Sequence, residues 1–505
     1  MSLLSAKKYL KKQTNISKSG FFKVFSKKAT FFVALFFYRN IIFRVVVNMR
    51  KINRNICEGP MFLNILLYTF PIILTGVLQL LYNAADLVIV GIYCGSVSVA
   101  AVGATGSLTT LLVNFVTGLS VGGSVCVAQA IGAKDEKRAS RAIHTAIPIA
   151  AIGGFLVGVI GFVFSNNLLM MMGTPDDVLP LSSLYMKIMF AAKPFSMLSV
   201  FGAAVLRALG DTKRPMIYFS VSGIANVIMN IFFVTVFDMN VGGVALATGI
   251  SQAISAFLII HALMKRKDAY AFSFKKLKVD PVMLKKILHI GIPSGVQSSL
   301  FAFSNVIIQS SVNSFGSVFM SGYAAAANID GFLYQTGNSF YQTALVFSGQ
   351  NYGAKKFSRI KRTYITCAFA ATVTVASLAL LVRLFGRQLL SIYINDSPQA
   401  IEYGLMRMSI MATMYFLCSV MEVSVGVIRG MGVSIAPLFI TVFGSCVLRV
   451  AWVYTIFSAF RTPECLIVSY PISWIITIIA LAIAFVIIYK KKKKESQIEE
   501  APATA

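Results

Sequence analysis

The chain has 505 residues, 57% of them hydrophobic and only 13% charged, with a mean hydropathy of +0.76. Such a composition excludes an ordinary soluble domain. The net charge of +28 would suit nucleic acid, but the placement of the basic residues excludes that partner as well.

The first 60 residues are basic and fit neither of the repeated halves that follow. Within them, residues 29–47 hold twelve Phe, Val, Leu or Ile residues, interrupted by Arg39 and Arg44. The apolar residues contribute roughly −4 to −7 kcal/mol to insertion, against up to about +3 for each arginine near a helix centre. The balance is close to zero, so the stretch reads as an interfacial or disordered extension. Met49, opening MRKINRNICEGP, is a natural alternative start for the first repeat.

Apolar runs long enough to cross a bilayer then fall near 63–90, 98–130, 141–164, 183–207, 215–237 and 243–264. A second set falls near 287–314, 319–350, 362–385, 402–428, 435–459 and 465–489. A backbone in lipid must satisfy its own hydrogen bonds, so these runs are predicted helices. The expectation is an all-α membrane protein with twelve transmembrane helices in two six-helix bundles. Its divisions are an extension over 1–60, a first lobe over 61–275, a second lobe over 276–489 and a tail over 490–505.

Of the 46 Lys and Arg residues, 39 lie in the N-terminal extension, in 134–141, 207–214, 265–286 and 355–362, at Arg429 and in the tail. The alternate loops are nearly uncharged (91–96) or acidic, with Asp176, Asp177, Asp238 and Asp396. The positive-inside rule therefore places both termini in the cytoplasm. The charge records orientation in a membrane.

The two sets of spans repeat one another. Residues 129–141, QAIGAKDEKRASR, match 350–362, QNYGAKKFSRIKR, at six of thirteen positions with an offset of 221. Residues 205–215 and 427–437 pair Arg207 with Arg429, Gly210 with Gly432 and Pro215 with Pro437 at 222, the offset that also pairs Pro71 with Pro293 and Asn83 with Asn305. One offset kept across separate blocks marks an internal duplication. Six helices per copy insert both copies the same way up, related by a pseudo-twofold axis along the membrane normal, as in secondary transporters.

Little in the chain suggests chemistry on bonds. The seven cysteines are scattered without a C-x-x-C, and packing explains them better than metal or redox roles. His144, His261 and His289 are isolated near helix ends and read as capping or interfacial groups. There is no phosphate loop, H-E-x-x-H or nucleophile elbow, so neither ATP use nor a membrane enzyme fits.

What remains is a few acids at bilayer depth, each costing about 2.5–3.5 kcal/mol or more at a helix centre and therefore calling for a partner or a task. Asp86, in LLYNAADLVIVG of the first span, lies some 23 residues past its start, about 35 Å along the helix and in the outer half of the first lobe. It reads as functional, with a structural cap as the alternative. Glu422 lies seven residues before Arg429 on the tenth span and is either a coupling or substrate group or half of an ion pair. Asp330, on the eighth span, reads rather as structural. Tyr334, Gln335, Tyr341 and Gln342 on that span either face a cavity or hydrogen-bond between helices.

LLYNAAD with Pro71, GQNYGA at 349–354, R-x-x-G-D-T-x-x-P at 207–215 and NVIMN…GGVALAT at 226–248 resemble the multidrug and toxic compound extrusion (MATE) family, with the likeness running from about residue 58 to 489. The resemblance implies export of small organic cations from the cell through a central cavity of the inner membrane, in exchange for protons or sodium ions and with no other cofactor. Its first-lobe cation site maps onto Asp86, Asn226, Asn230 and Thr248. Asn230 replaces a carboxylate found in archaeal members, leaving one formal charge in place of two. These are hard oxygen ligands suited to a monovalent cation, while a carboxylate buried in an apolar bundle would equally carry a proton. Interhelical hydrogen bonding is the plain alternative for Asn226 and Asn230, four residues apart. A second-lobe sodium site carries over poorly, because the seventh span, IPSGVQSSLFAFSN, has no acid. A monomer is expected. The nearest rival is a flippase for lipid-linked precursors, which needs a cationic cavity; basic residues inside the spans are few, namely Lys187, Lys193, Arg383, Arg407 and Arg449.

Overall fold

The computed structural model describes residues 56–394 and 397–500. The extension up to residue 55, with Met49, and the loop acid Asp396 lie outside the described residues. Among the described residues sixteen α-helices account for twelve membrane-length segments. In the first half these are α1 (Met61–Tyr93), α2 (Ser96–Gly132), α3 (Glu136–Met171), the pair α4 (Leu179–Ala191) and α5 (Lys193–Ala208), α6 (Lys213–Thr235) and α7 (Asn240–Met264). The second half has α8 (Pro281–Asn313), α9 (Ser317–Gly353), α10 (Phe357–Leu384), the short α11 (Gly386–Leu390) and α12 (Pro398–Gly430). It continues with α13 (Ile435–Thr441), α14 (Leu448–Tyr454) and α15 (Ile456–Ala459), which make one interrupted span, and ends with α16 (Pro463–Glu500).

Two spans are broken for identifiable reasons. Helices α4 and α5 meet at 47°, where Pro194 in the first turn of α5 has no N–H to offer the preceding helix. Between α13 and α14 the chain widens into a π-helical turn over Val442–Val447, a feature that often marks functional sites.

Among the described residues nine helices are both long and apolar enough to cross a membrane, or ten if the bent pair is one span. The two that fall short are α8 and α9, although at 33 and 37 residues they equal their counterparts α1 and α2. They carry Gln297, Gln335, Asn338 and Gln342, and these side chains line the central cavity. Facing water within the protein, they lower the apolar average of a segment that is still long enough to span.

The duplication is visible in the backbone. Gly95 and Gly316 precede α2 and α9 with φ of 84° and 86°, Lys134 and Lys355 both stand at 57°, and Gly210 and Gly432 at 84° and 86°. At the basic end of the molecule the halves close on each other reciprocally. Gln129 Nε2 donates to the Gly430 carbonyl oxygen (2.9 Å), and Gln350, 221 residues on, donates to that of Ala208 (2.8 Å).

Further along, the halves meet at two pseudo-equivalent crossings of different character. Where α2 crosses α8, the G-x-x-x-G of Gly118 and Gly122 packs on that of Gly291 and Gly295. A Cβ on Gly118 would stand 2.5 Å from the Gly295 Cα, and one on Gly291 would stand 2.5 Å from the Leu119 carbonyl oxygen. The backbones touch because no side chain intervenes. Where α1 crosses α9, the corresponding positions are Thr69 and Thr343, joined through their hydroxyls at 2.8 Å. Gly122→Val is therefore expected to lower stability by about 1–3 kcal/mol through overpacking. Thr343→Val, which keeps shape and loses the hydroxyl's contacts with Thr69 and with the Ser339 carbonyl within its own helix, should cost nearer 0.6 kcal/mol for the interhelical bond. Thermal unfolding of the two variants in detergent checks the order; equal losses would mean the glycine contact is not tight.

The linker between the halves is held on the first. Residues 265–280 carry one 3-10 turn, Phe274–Lys276, and the Ser273 N–H donates to His144 Nε2 (3.1 Å) while the imidazole stacks on Phe272. His144, read in the sequence as a capping or interfacial group, is thus a buried clasp that holds the linker backbone. Asp280 caps α8, with Met283 and Val282 N–H groups and Arg141 holding its carboxyl below the usual carboxylate range.

Candidate functional site

Asp86 projects from α1 between α6 and α7. Asn230 Nδ2 donates to Asp86 Oδ1 at 2.5 Å and also reaches Asn226 Oδ1 at 3.3 Å, while Asn226 Nδ2 donates to Thr248 Oγ1 at 3.2 Å. The four residues singled out in the sequence therefore form one chain of contacts across three helices. Four-residue spacing stacks the two asparagines on one face of α6. Both are buried, and Asn230 Oδ1 has no partner among the described residues. An unsatisfied amide oxygen beside a carboxylate is an acceptor cluster in an apolar setting, with Ile89, Val90, Val234 and Val244 around it. Such a cluster can hold a proton or a small hard cation and little else.

A second and larger feature lies between the halves. A cavity of about 1140 Å³ runs from Gly103 and Gln309 to Ser124, Arg207 and Arg429, and its lining ends where the Gln129 and Gln350 contacts close the basic end. Asp330, Tyr334, Gln335, Tyr341, Gln342 and Glu422 all line it. The four polar residues of α9 thus face the cavity, although Tyr341 and Gln342 also make hydrogen bonds, to Arg429 and to Asn338. Asp86 and its three partners are not among the lining residues.

Asp330 is one half of a buried ion pair. Arg407 Nε and Nη2 both donate to its Oδ2, at 3.1 and 3.0 Å, and the guanidinium lies 3.9 Å from the Tyr323 ring centre. Glu422 makes no such pair among the described residues. Arg429 donates instead to Tyr341 Oη (2.8 Å) and Gln297 Oε1 (2.7 Å), so the seventh span contributes an amide where it lacks an acid.

Sequence reasoning undervalued the arginines. Arg207 and Arg429 were counted with the loop charge, yet both line the cavity, joined there by Arg407 and Arg449. Only the high cost of a guanidinium at bilayer depth could have marked Arg407 and Arg449 in advance.

The MatE family model matches the chain twice, over residues 71–232 and 293–455. The chain belongs to the MatE family. The two matches begin 222 residues apart, the offset of the internal repeat. MatE proteins are membrane transporters, and this one is a multi-pass transporter and not an enzyme. It is similar to the probable multidrug resistance protein YoeA of Bacillus subtilis, 26% identical over 85% of this chain and 94% of that protein. It is also similar to the multidrug export protein MepA of Staphylococcus aureus, 26% identical over 53% of this chain and 59% of MepA. Two solved structures share the fold at 20% identity and a TM-score of 0.80. One is a MATE in complex with MaL6, covering 88% of this chain and 99% of that one. The other is the outward-facing conformation of a multidrug resistance MATE family transporter, covering 88% and 98%. Both relationships agree with the all-helical architecture expected from the sequence.

Proposed function

We infer that this MatE protein is an ion-coupled exporter of small amphiphilic molecules, working by alternating access of two rocking halves. The observation that carries the inference is the Asp86–Asn230–Asn226–Thr248 network, an ionisable acceptor cluster held apart from the cavity yet within the half that must move. Binding of a proton or sodium ion there would couple to transport if the two states of the protein hold the ion with different affinity. The carboxylate, the amide oxygens and the hydroxyl fit either ion, and the orphaned Asn230 Oδ1 offers an acceptor to a hydrated proton carrier or to sodium itself.

In this reading the basic end faces the cytoplasm of the inner membrane with both termini, and the closure there leaves the cavity accessible from outside. The names of YoeA and MepA support drug-like substrates, and the aromatic wall of Tyr334, Tyr415 and Trp474 suits flat apolar bodies. The lining charge weighs against restricting them to cations. The test is uptake into or efflux from proteoliposomes with a pH gradient and a sodium gradient imposed separately. One of the two should drive a dye or drug uphill, and transport indifferent to both would overturn the coupled mechanism.

A further inference from the structure

The formally charged side chains that line the cavity are the guanidiniums of Arg207, Arg407, Arg429 and Arg449 and the carboxylates of Asp330 and Glu422. Two positive charges are therefore in excess, and they are not distributed evenly. Arg407 is matched by Asp330, and Arg429 is held by two neutral oxygens. Among the described residues neither Arg207 nor Arg449 has such an arrangement, and of the two it is Arg449 that stands against aromatic ring faces. It is 3% exposed, pairs with no carboxylate among the described residues, and has a buried Nη2 with no partner. Its Nε donates to Ser473 Oγ at 2.8 Å, which fixes the plane of the group. The Tyr470 and Trp474 rings stand 4.3 and 5.9 Å from its central carbon.

The local fold accounts for this placement. The π-helical turn Val442–Val447 directly precedes α14, and the extra residue it inserts rotates the following turn relative to a regular helix. The Ser445 hydroxyl meets that of Thr477 at 3.0 Å, so the turn is anchored on α16. Arg449 is thereby carried inward to the wall that α16 supplies with Tyr470, Ser473 and Trp474. Ring faces offset part of the cost of a buried cation, but only an anion neutralises it. The planar fork of a guanidinium matches the paired oxygens of carboxylate, sulfonate or phosphate. Beside it, Trp474 lies 5.4 Å from Tyr415 and 6.1 Å from Tyr470, an apolar shelf for the body of the same ligand.

We propose that Arg449, with Tyr470 and Trp474, binds the anionic group of an amphiphilic substrate, so that this transporter carries anionic or zwitterionic molecules. The proposal rests on the cavity being the substrate site of an exporter, and it names the substrate class. The anion belongs either to a soluble molecule or to a lipid headgroup; the chemistry at Arg449 is the same.

Trp474 reports on the site directly, because the chain has two tryptophans and Trp452→Phe removes the other. The full-length protein in nanodiscs of neutral phosphatidylcholine is titrated with 4-butylbenzenesulfonate and, separately, with 4-butylphenyltrimethylammonium. Quenching of Trp474 should show the sulfonate binding at least tenfold more tightly than the ammonium ion. Arg449→Gln should weaken the sulfonate at least tenfold and leave the ammonium ion unchanged or tighter, while Arg449→Lys keeps part of the affinity. Equal affinity for the two probes in the unsubstituted chain overturns the proposal, even if Arg449→Gln fails to assemble. Sulfonate affinity untouched in a well-folded Arg449→Gln protein overturns it as well. Repeating the titration with phosphatidylglycerol in the nanodisc separates the sources. Competition supports a lipid headgroup as the occupant, and unchanged affinity supports a soluble anion. No gradient is present, so binding is blind to coupling: this experiment and the gradient-driven efflux assay fail independently.

Discussion

Asp86→Asn is expected to abolish uphill transport while leaving the protein folded and able to exchange substrate downhill. The substitution is nearly isosteric, and the Asn230 Nδ2 donor that now bonds Asp86 Oδ1 at 2.5 Å would find an amide oxygen in the same place. What disappears is the one charge in the network, and with it, in the coupled mechanism proposed above, the difference in ion affinity between the two states. Coupling free energies of about 1–3 kcal/mol correspond to about 5–150-fold in affinity, so gradient-driven accumulation should fall by about tenfold or more. Proteoliposomes with matched amounts of protein give the measurement. Asn226→Ala, which reaches Asp86 only through Asn230, should weaken coupling less. Undiminished uphill transport by Asp86→Asn would falsify the coupling role.

The Asp330–Arg407 pair should produce the largest change in stability. Both partners are nearly inaccessible, at 3% and 6% exposure. Removing one leaves a bare buried charge, and such losses run to about 3–5 kcal/mol, whereas replacing both by apolar groups is often close to neutral. Arg407→Met and Asp330→Leu should each lower the melting temperature in detergent sharply, and the double variant should recover most of the loss. The unpartnered Asp330 Oδ1 and Arg407 Nη1 make the pair an imperfect one, which favours that recovery. If the double variant is as unstable as either single one, the residues act through separate contacts and the pairing is incidental. If it folds but no longer transports, the pair belongs to the substrate wall and not only to the frame.

How much of this was legible in the sequence depends on distance along the chain. The repeat was plain because its markers, such as G-A-K after α2 and α9, are local turns whose conformation the same residues fix twice. The network at Asp86 was accessible because Asn226 and Asn230 advertise one face of one helix, and the family likeness supplied the rest. The cavity wall was not. Arg449 finds Ser473, and Arg407 finds Asp330, across 24 and 77 residues, and no periodicity predicts which buried cation will lack a carboxylate. The π-helical turn that brings Arg449 inward leaves no compositional mark. The spans at α8 and α9 were legible as apolar runs at 287–314 and 319–350, although as whole helices they fall short of a membrane-crossing hydropathy because their cavity side is polar.

The unequal crossings bear on the ancestry of the molecule. Two identical first halves would set Gly118 and Gly122 against Thr69 at both seams, and two identical second halves would set Gly291 against Thr343 at both. A symmetric ancestor would thus have had two seams of equal, mixed tightness. Divergence has sorted the residues, gathering the glycines into one seam and the threonines into the other. Neither half can now stand in for its twin, and if the halves rock as proposed the tight glycine seam is the expected pivot, as a door turns about its hinge.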